Sequence, residues 1–221
     1  MDQHTSGPLI FVCAGGTGGH VIPASVTSNE LGHQGARVLF VTDLRGQKYL
    51  KDLDPSIKIL LLPMGSRPPL IQFILQLSRC FFLSLSWVLK YKPTSIIGFG
   101  GFPSFPCMLA GLLTGRTLMV HEQNARLGRT NRFFKPFLKK LFLNFPIPNI
   151  NGGTVVGLPL RKAFESLPQK VSRQSNFPPL KVLILGGSQG ASFFTQMMSG
   201  ILGVANDGLL KGISVIHQAP E

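Results

Sequence analysis

The chain has 221 residues, 44% of them hydrophobic and 14% charged, and its 22 Lys and Arg against 9 Asp and Glu give a net charge of +13. That balance excludes a disordered tail, which needs low hydrophobicity and dense charge. The 25 Gly and 17 Pro are spread without a collagen period, and Cys13, Cys80 and Cys107 lie far apart with no CxxC pair. A disulfide scaffold or zinc site is therefore not expected, and a reducing compartment is.

Residues 1–6 carry no Lys or Arg, and the apolar run Leu9–Ala14 is short, which reads as a strand and not a signal peptide. In chain order the predicted strands are Leu9–Cys13, Arg37–Thr42, Ile57–Leu62, Ser95–Phe99, Thr117–His121, Lys140–Asn144, Thr154–Val156, Lys181–Leu185 and Ser214–His217. Strands that are apolar throughout, separated by helix-length segments, predict a parallel sheet covered on both faces, an α/β doubly wound architecture. Arg161–Leu180, with Pro168, Pro178 and Pro179, reads as an interdomain connection. The expected division is a Rossmann-like domain over residues 1–160, a connection over 161–180 and an incomplete second domain over 181–221. Two strands and one helix cannot close their own core, so this last piece is expected to open a second domain, with an extension of the first sheet as the alternative.

Leu70–Leu89 has near-spanning length with Arg79 as its one charge. Gln72, Gln76, Arg79, Ser86 and Lys90 fall on one arc of a helical wheel, and the rest is a broad apolar arc holding Phe73, Ile74, Leu77, Phe81, Phe82, Leu85, Trp87 and Val88. A buried core helix, a helix docked on a membrane and a true span all remain open. The docked helix is expected. Between Glu122 and Glu165 there is no acid, and Arg126, Arg129, Arg132, Lys135, Lys139 and Lys140 alternate with Phe133, Phe134, Phe137 and Phe142. A solvated basic face is the plain reading. No helix-turn-helix, zinc-finger or RNP pattern supports nucleic-acid binding, and basic residues mixed with bulky apolar ones fit an anionic membrane surface better.

Glycine-rich turns follow three predicted strands, at Ala14–His20, Gly98–Ser104 and Gly186–Ala191. Glycine permits a tight turn and close approach of a ligand, and the next helix offers free N–H groups and its positive end, which together can cradle a phosphate. Doubly wound folds need tight turns in any case, so one such turn alone is weak. No lysine follows the glycines as in a Walker A loop, and GxGxxG laid on Gly16 and Gly18 would end at Val21. Asp43 could imitate a ribose-binding acid, which leaves a nicotinamide-binding domain as a rival. Asp52-Leu53-Asp54 resembles a metal-binding DxD but, next to Pro55, reads as a solvated turn.

The run Gly15-Gly16-Thr17-Gly18-Gly19-His20-Val21-Ile22-Pro23-Ala24 resembles the first glycine loop of MurG-type enzymes. These peptidoglycan glycosyltransferases add N-acetylglucosamine to undecaprenyl-pyrophosphoryl-N-acetylmuramoyl-pentapeptide (lipid I), giving lipid II. Gly98-Phe99-Gly100-Gly101-Phe102 is similar to their second loop, and His121-Glu122-Gln123-Asn124, with Thr130-Asn131 downstream, to their strand-end signature. Gly186-Gly187-Ser188-Gln189-Gly190-Ala191 is similar to the third loop, which opens their second domain.

The resemblance implies a GT-B fold and a hexosyltransferase using UDP-N-acetylglucosamine in a single inverting displacement, with no cofactor and no metal site. It implies donor contacts at Ser188, Thr17, Gly18, Gly19, Asn124 and Arg161, and places Gly15, Gly16, Gly100 and Gly101 near the acceptor pyrophosphate. Phe73, Leu77, Phe81, Phe82 and Trp87 would rest on the membrane. His20 is the implied base, its class titrating near neutral pH, with Glu122 orienting it or sharing the role; His20 capping a helix or packing in place is the plain alternative. The implied setting is the cytoplasmic face of the bacterial inner membrane, as a peripheral protein with lipid I, UDP-N-acetylglucosamine, an anionic membrane surface and cell-wall synthesis proteins as partners, and no nucleic acid.

Three departures from the family pattern stand out. Phe105 follows the second loop where a glycine is usual, and is expected to crowd the acceptor phosphate. Leu158 replaces an asparagine before Arg161. The family's later donor-binding segment has no counterpart before Glu221, so the 221 residues are expected to hold a nearly complete acceptor and membrane domain and only part of a donor site. The alternative is a membrane-bound, acceptor-binding module that needs a separate donor-binding partner.

Overall fold

A computed structural model describes residues 7–65, 69–165, 180–186, 196–198, 200 and 213–218. The chain divides into two compact units, residues 1–166 and 167–221. The first holds seven strands: β1 (Leu9–Cys13), β2 (Arg37–Asp43), β3 (Lys58–Leu62), β4 (Ser95–Gly98), β5 (Thr117–Glu122), β6 (Lys140–Leu143) and β7 (Gly153–Val155). They pair in parallel in the order β3-β2-β1-β4-β5-β6-β7. The order in which successive strands are added reverses between β1 and β4, and in open α/β sheets that switch point opens a crevice at the carboxyl ends of the strands. The first two glycine turns leave β1 and β4, so they flank it.

The strands are uniformly apolar because both sheet faces are covered. On one face Val12, Val21, Ala24, Phe40 and Phe99 pack beneath α1 (Gly18–His33). On the other, Phe11, Val41, Leu62, Ile96, Met108 and Phe134 pack with α3 (Leu70–Tyr91), α4 (Ser104–Leu113) and α5 (Arg129–Phe134). A short α2 (Leu44–Gln47) follows β2, and α6 (Lys162–Glu165) follows β7. Cys13, Cys80 and Cys107 are buried and free.

The α3 helix turns a narrow seam inward, Cys80, Ser84 and Val88, four residues apart on one face. Small side chains there let α3 lie close against α4. Of the five residues assigned to the membrane from sequence, the structure exposes Phe82 and draws the others inward. Phe81 and Trp87 pack on the core, Phe73 meets the Phe102 ring at 5.0 Å, and Leu77 lines a cavity of about 280 Å³ against Phe105 and Leu109. The outward apolar face is instead Leu70, Ile71, Ile74, Leu75, Phe82 and Leu89. An apolar arc too wide for one contact is thus split between the core and the surface. Among the described residues α3 is the one helix long and apolar enough to cross a membrane.

In the second unit β8 (Leu180–Ile184) and β9 (Ile213–His217) pair in parallel. Gly186 N–H donates to Gln218 Oε1 at 3.2 Å. Residues 187–191 of the third glycine turn, Ser188 among them, and residues 166–179 of the expected connection lie outside the described residues.

Candidate active site

The first glycine loop is held from beneath by β2. Asp43, with no exposed surface, accepts the N–H groups of Gly16 and Gly46 on Oδ1, both at 2.9 Å, and Arg45 Nε on Oδ2 at 3.0 Å. Both oxygens are committed to the fold, which removes Asp43 as a ribose-binding acid. It also engages the Gly16 amide, which is then not free to meet a phosphate. Free amides lie one step further on. Thr17 caps α1 without a side-chain hydrogen bond, and the first bonds into the helix run from His20 and Val21 N–H to its carbonyl. Among the described residues, Gly18 and Gly19 N–H therefore stay unpaired at the positive end of a 16-residue helix.

The two loops pack on each other. A methyl group on Gly15 would lie 2.6 Å from Pro103 Cβ, and one on Gly101 would collide with the Gly15 carbonyl. Gly101 also has φ +76°, so glycine is required there twice over. Ser104 Oγ donates to the Gly101 carbonyl at 2.8 Å and fixes the turn into α4. His20 lies against the second loop, its ring 3.2–3.3 Å from where side-chain carbons on Gly100 and Gly101 would stand. His20 Nδ1 meets Gln123 Oε1 at 3.0 Å.

Glu122, at the end of β5, is 1% exposed. Its Oε1 accepts Asn124 N–H at 3.1 Å and Asn124 Nδ2 at 2.9 Å, and its Oε2 accepts Gly128 N–H and Asn131 Nδ2, both at 2.8 Å. Four donors stabilise the buried carboxylate, with no cation against it among the described residues. A group so enclosed cannot reach a substrate proton. Glu122 is therefore a scaffold for the loop 123–131 in place of the shared base expected from sequence, and it presents Asn124 to solvent.

His121, Gln123 and Asn131 carry no assigned role in the sequence reading, yet they build the site. His121 stacks on Phe99 with ring centroids 5.3 Å apart, and its Nε2 meets the Gly157 carbonyl at 2.9 Å. Burial pulls its pKa below the ordinary histidine value, against the opposing pull of the Gly157 bond and the Glu122 charge. The signal for Gln123 was its place directly after the strand-end pair His121-Glu122.

Phe105 does not crowd the loop. It stacks on Phe102 at 6.1 Å and contacts Phe133 and Phe134 at 5.2 and 5.3 Å, which turns it into an aromatic cluster on the α3 side. Arg161 is not gathered with the glycine loops. Its Nε is 3.0 Å from Asp52 Oδ2, in a cavity of about 780 Å³ lined by Asn29, Glu30, His33 and Leu158. Asp54 caps its own turn through Ser56, so Asp52 and Asp54 serve different local roles.

Against known proteins, residues 10–143 match the glycosyltransferase family 28 N-terminal domain. The chain is 35% identical over 214 residues to a UDP-N-acetylglucosamine–N-acetylmuramyl-(pentapeptide) pyrophosphoryl-undecaprenol N-acetylglucosamine transferase of Bradyrhizobium sp. BTAi1, covering 90% of this chain and 57% of that one. It is 33% identical over 196 residues to the transferase of that name from Rickettsia bellii, covering 86% and 55%. It thus spans little more than half the length of the curated relatives it matches. The crystal structure of Acinetobacter baumannii MurG superposes with a TM-score of 0.70 at 25% identity, covering 95% of this chain and 68% of that one. The parallel sheet of the first unit is accordingly a Rossmann-like, GT-B-type N-terminal domain, and the chain belongs to glycosyltransferase family 28.

Proposed function

We propose that the chain is the acceptor-binding side of a UDP-N-acetylglucosamine-dependent hexosyltransferase that converts lipid I to lipid II in peptidoglycan synthesis. The observation that carries this reading is His20 wedged between two interlocked glycine loops at the switch point, with Nδ1 engaged by Gln123. The names borne by the Bradyrhizobium and Rickettsia relatives supply the substrates. In the reaction the acceptor C4 hydroxyl attacks the donor anomeric carbon with inversion. The bond to UDP breaks, UDP leaves with the electron pair, and the hydroxyl proton passes to His20.

Residues 1–160 take the acceptor and the membrane, and 181–221 begin the donor domain. Gly15, Gly16, Gly100 and Gly101 form a floor without side chains beneath the pyrophosphate. The unpaired amides of Gly18 and Gly19, with Thr17 and Asn124, face the donor, joined by Ser188 and by Arg161 once it parts from Asp52. The outward apolar face of α3 and the exposed Arg126, Arg129 and Arg132 dock on the anionic cytoplasmic face of the inner membrane. The aromatic run Phe73–Phe102–Phe105–Phe133 supports this reading by linking α3 to the basic α5.

The test is to titrate the chain separately with a soluble lipid I analogue and with UDP-N-acetylglucosamine, and to follow sugar transfer. Saturable binding of both with transfer supports the enzyme. Acceptor binding without donor binding selects a module that works with a donor-binding partner, and binding of neither sinks the reading.

A further inference from the structure

Four groups from distant parts of the first unit form one hydrogen-bonded line: His20, Gln123, His121 and the Gly157 carbonyl. Two backbone carbonyls fix its polarity. Gln123 Nε2 lies 2.9 Å from the His121 carbonyl oxygen, which can only accept, so the amide nitrogen must face that side and Oε1 must face His20. Oε1 is an acceptor, so His20 Nδ1 at 3.0 Å must carry the proton. At the other end the Gly157 carbonyl, 2.9 Å from His121 Nε2, demands a proton on that nitrogen. The neutral His121 ring then offers Nδ1 as an acceptor to the second Gln123 N–H at 3.1 Å. With both rings neutral, this is the one arrangement in which every contact along the line pairs a donor with an acceptor.

We propose that Gln123 is a positioning residue that fixes the tautomer of His20, keeping Nδ1 protonated and Nε2 as the lone-pair nitrogen. Among the described residues His20 Nε2 has no partner, so it is the nitrogen left to take a proton. The line is pre-set. Asn144 Nδ2 holds the Gln123 carbonyl at 3.0 Å, and the stack on Phe99 fixes the plane of His121. Burial favours the neutral His121 that the line requires. The consequence for catalysis rests on His20 being the acceptor base, whereas the tautomer itself does not.

The experiment is a long-range proton–nitrogen correlation spectrum of the 221-residue chain labelled with 15N-histidine. Loss of one ring pair in His20→Gln assigns His20, and loss of another in His121→Gln assigns His121. His20 protonated at Nδ1 and His121 protonated at Nε2 is the expected result, and Gln123→Leu should move His20 toward the Nε2–H form while His121 keeps its proton. A His20 ring protonated at Nε2 in the unsubstituted chain overturns the proposal. An unchanged His20 tautomer in a folded Gln123→Leu chain overturns it as well. In the transfer assay Gln123→Leu should lower kcat by about 10- to 100-fold while leaving KM within about twofold. The spectrum decides the tautomer whether or not the unsubstituted chain transfers sugar, so a failure of this proposal and a failure of the transferase reading are told apart.

Discussion

Asp43 accepts the Gly16 N–H at 2.9 Å, so the last residue of β2 holds the loop that leaves β1. The same oxygen takes Gly46 N–H, and no surface of the residue reaches solvent. Replacing Asp43 with alanine strands the buried Gly46 amide and the half-buried Gly16 amide and should cost about 2–4 kcal/mol. Urea denaturation should show a lower midpoint at unchanged slope. A midpoint equal to that of the unsubstituted chain would mean the loop does not depend on Asp43.

Glu122 is distinguished from a catalytic base by what a glutamine does in its place. A base replaced by Gln would leave stability alone and abolish turnover. A scaffold accepting two donors on each oxygen would, as Gln, turn an NH2 group against two N–H donors. Glu122→Gln should therefore lose about 2–3 kcal/mol of unfolding free energy. Denaturation measured beside the transfer assay separates the two roles.

The contrast between these two acids and the strands shows which parts were legible in the sequence. Leu9–Cys13 reads directly as a strand because a sheet covered on both faces demands an unbroken apolar run, and that demand is local. The glycine loops were legible for the same reason, since positive φ at Gly100 and Gly101 leaves a mark in residue type. The line through His20 and Gln123 was not, because those residues are 103 positions apart and meet through the sheet order. Nor could a helical wheel say which part of the α3 arc faces inward. Cys80, Ser84 and Val88 form the seam because they are small enough for α4 to approach, a property of the partner as much as of the helix.

His121 makes stability depend on pH in a definite direction. Its folded pKa is lowered, first by burial, below the ordinary value of 6.5. Above 6.5 both folded and unfolded chains carry it neutral, and its contribution is fully present. As pH falls through 6.5 the unfolded chain takes up the proton first, and stability is lost until the folded pKa is passed. Chemical denaturation between about pH 5 and 8 should show this decline. His121→Gln, less stable at pH 8, should flatten it. An equal slope in both chains would assign the decline to other groups.

The two faces of α3 separate the proposed membrane docking from folding. Ile74 and Phe82 are more than half exposed, and aspartate at both should leave unfolding free energy within about 1 kcal/mol, as surface changes do. Phe81 packs on the core beside them, and aspartate there should destabilise the unit by burying an unpaired charge. Each large apolar side chain withdrawn from water contributes about 1.5–3 kcal/mol, so the Ile74→Asp, Phe82→Asp chain should bind vesicles containing anionic phosphatidylglycerol at least about tenfold more weakly. Binding should also fall with added salt, because the basic residues around α5 act through screened charge. Vesicle binding that survives both aspartates in a folded chain would remove α3 as the docking face and leave the basic stretch to be tested alone.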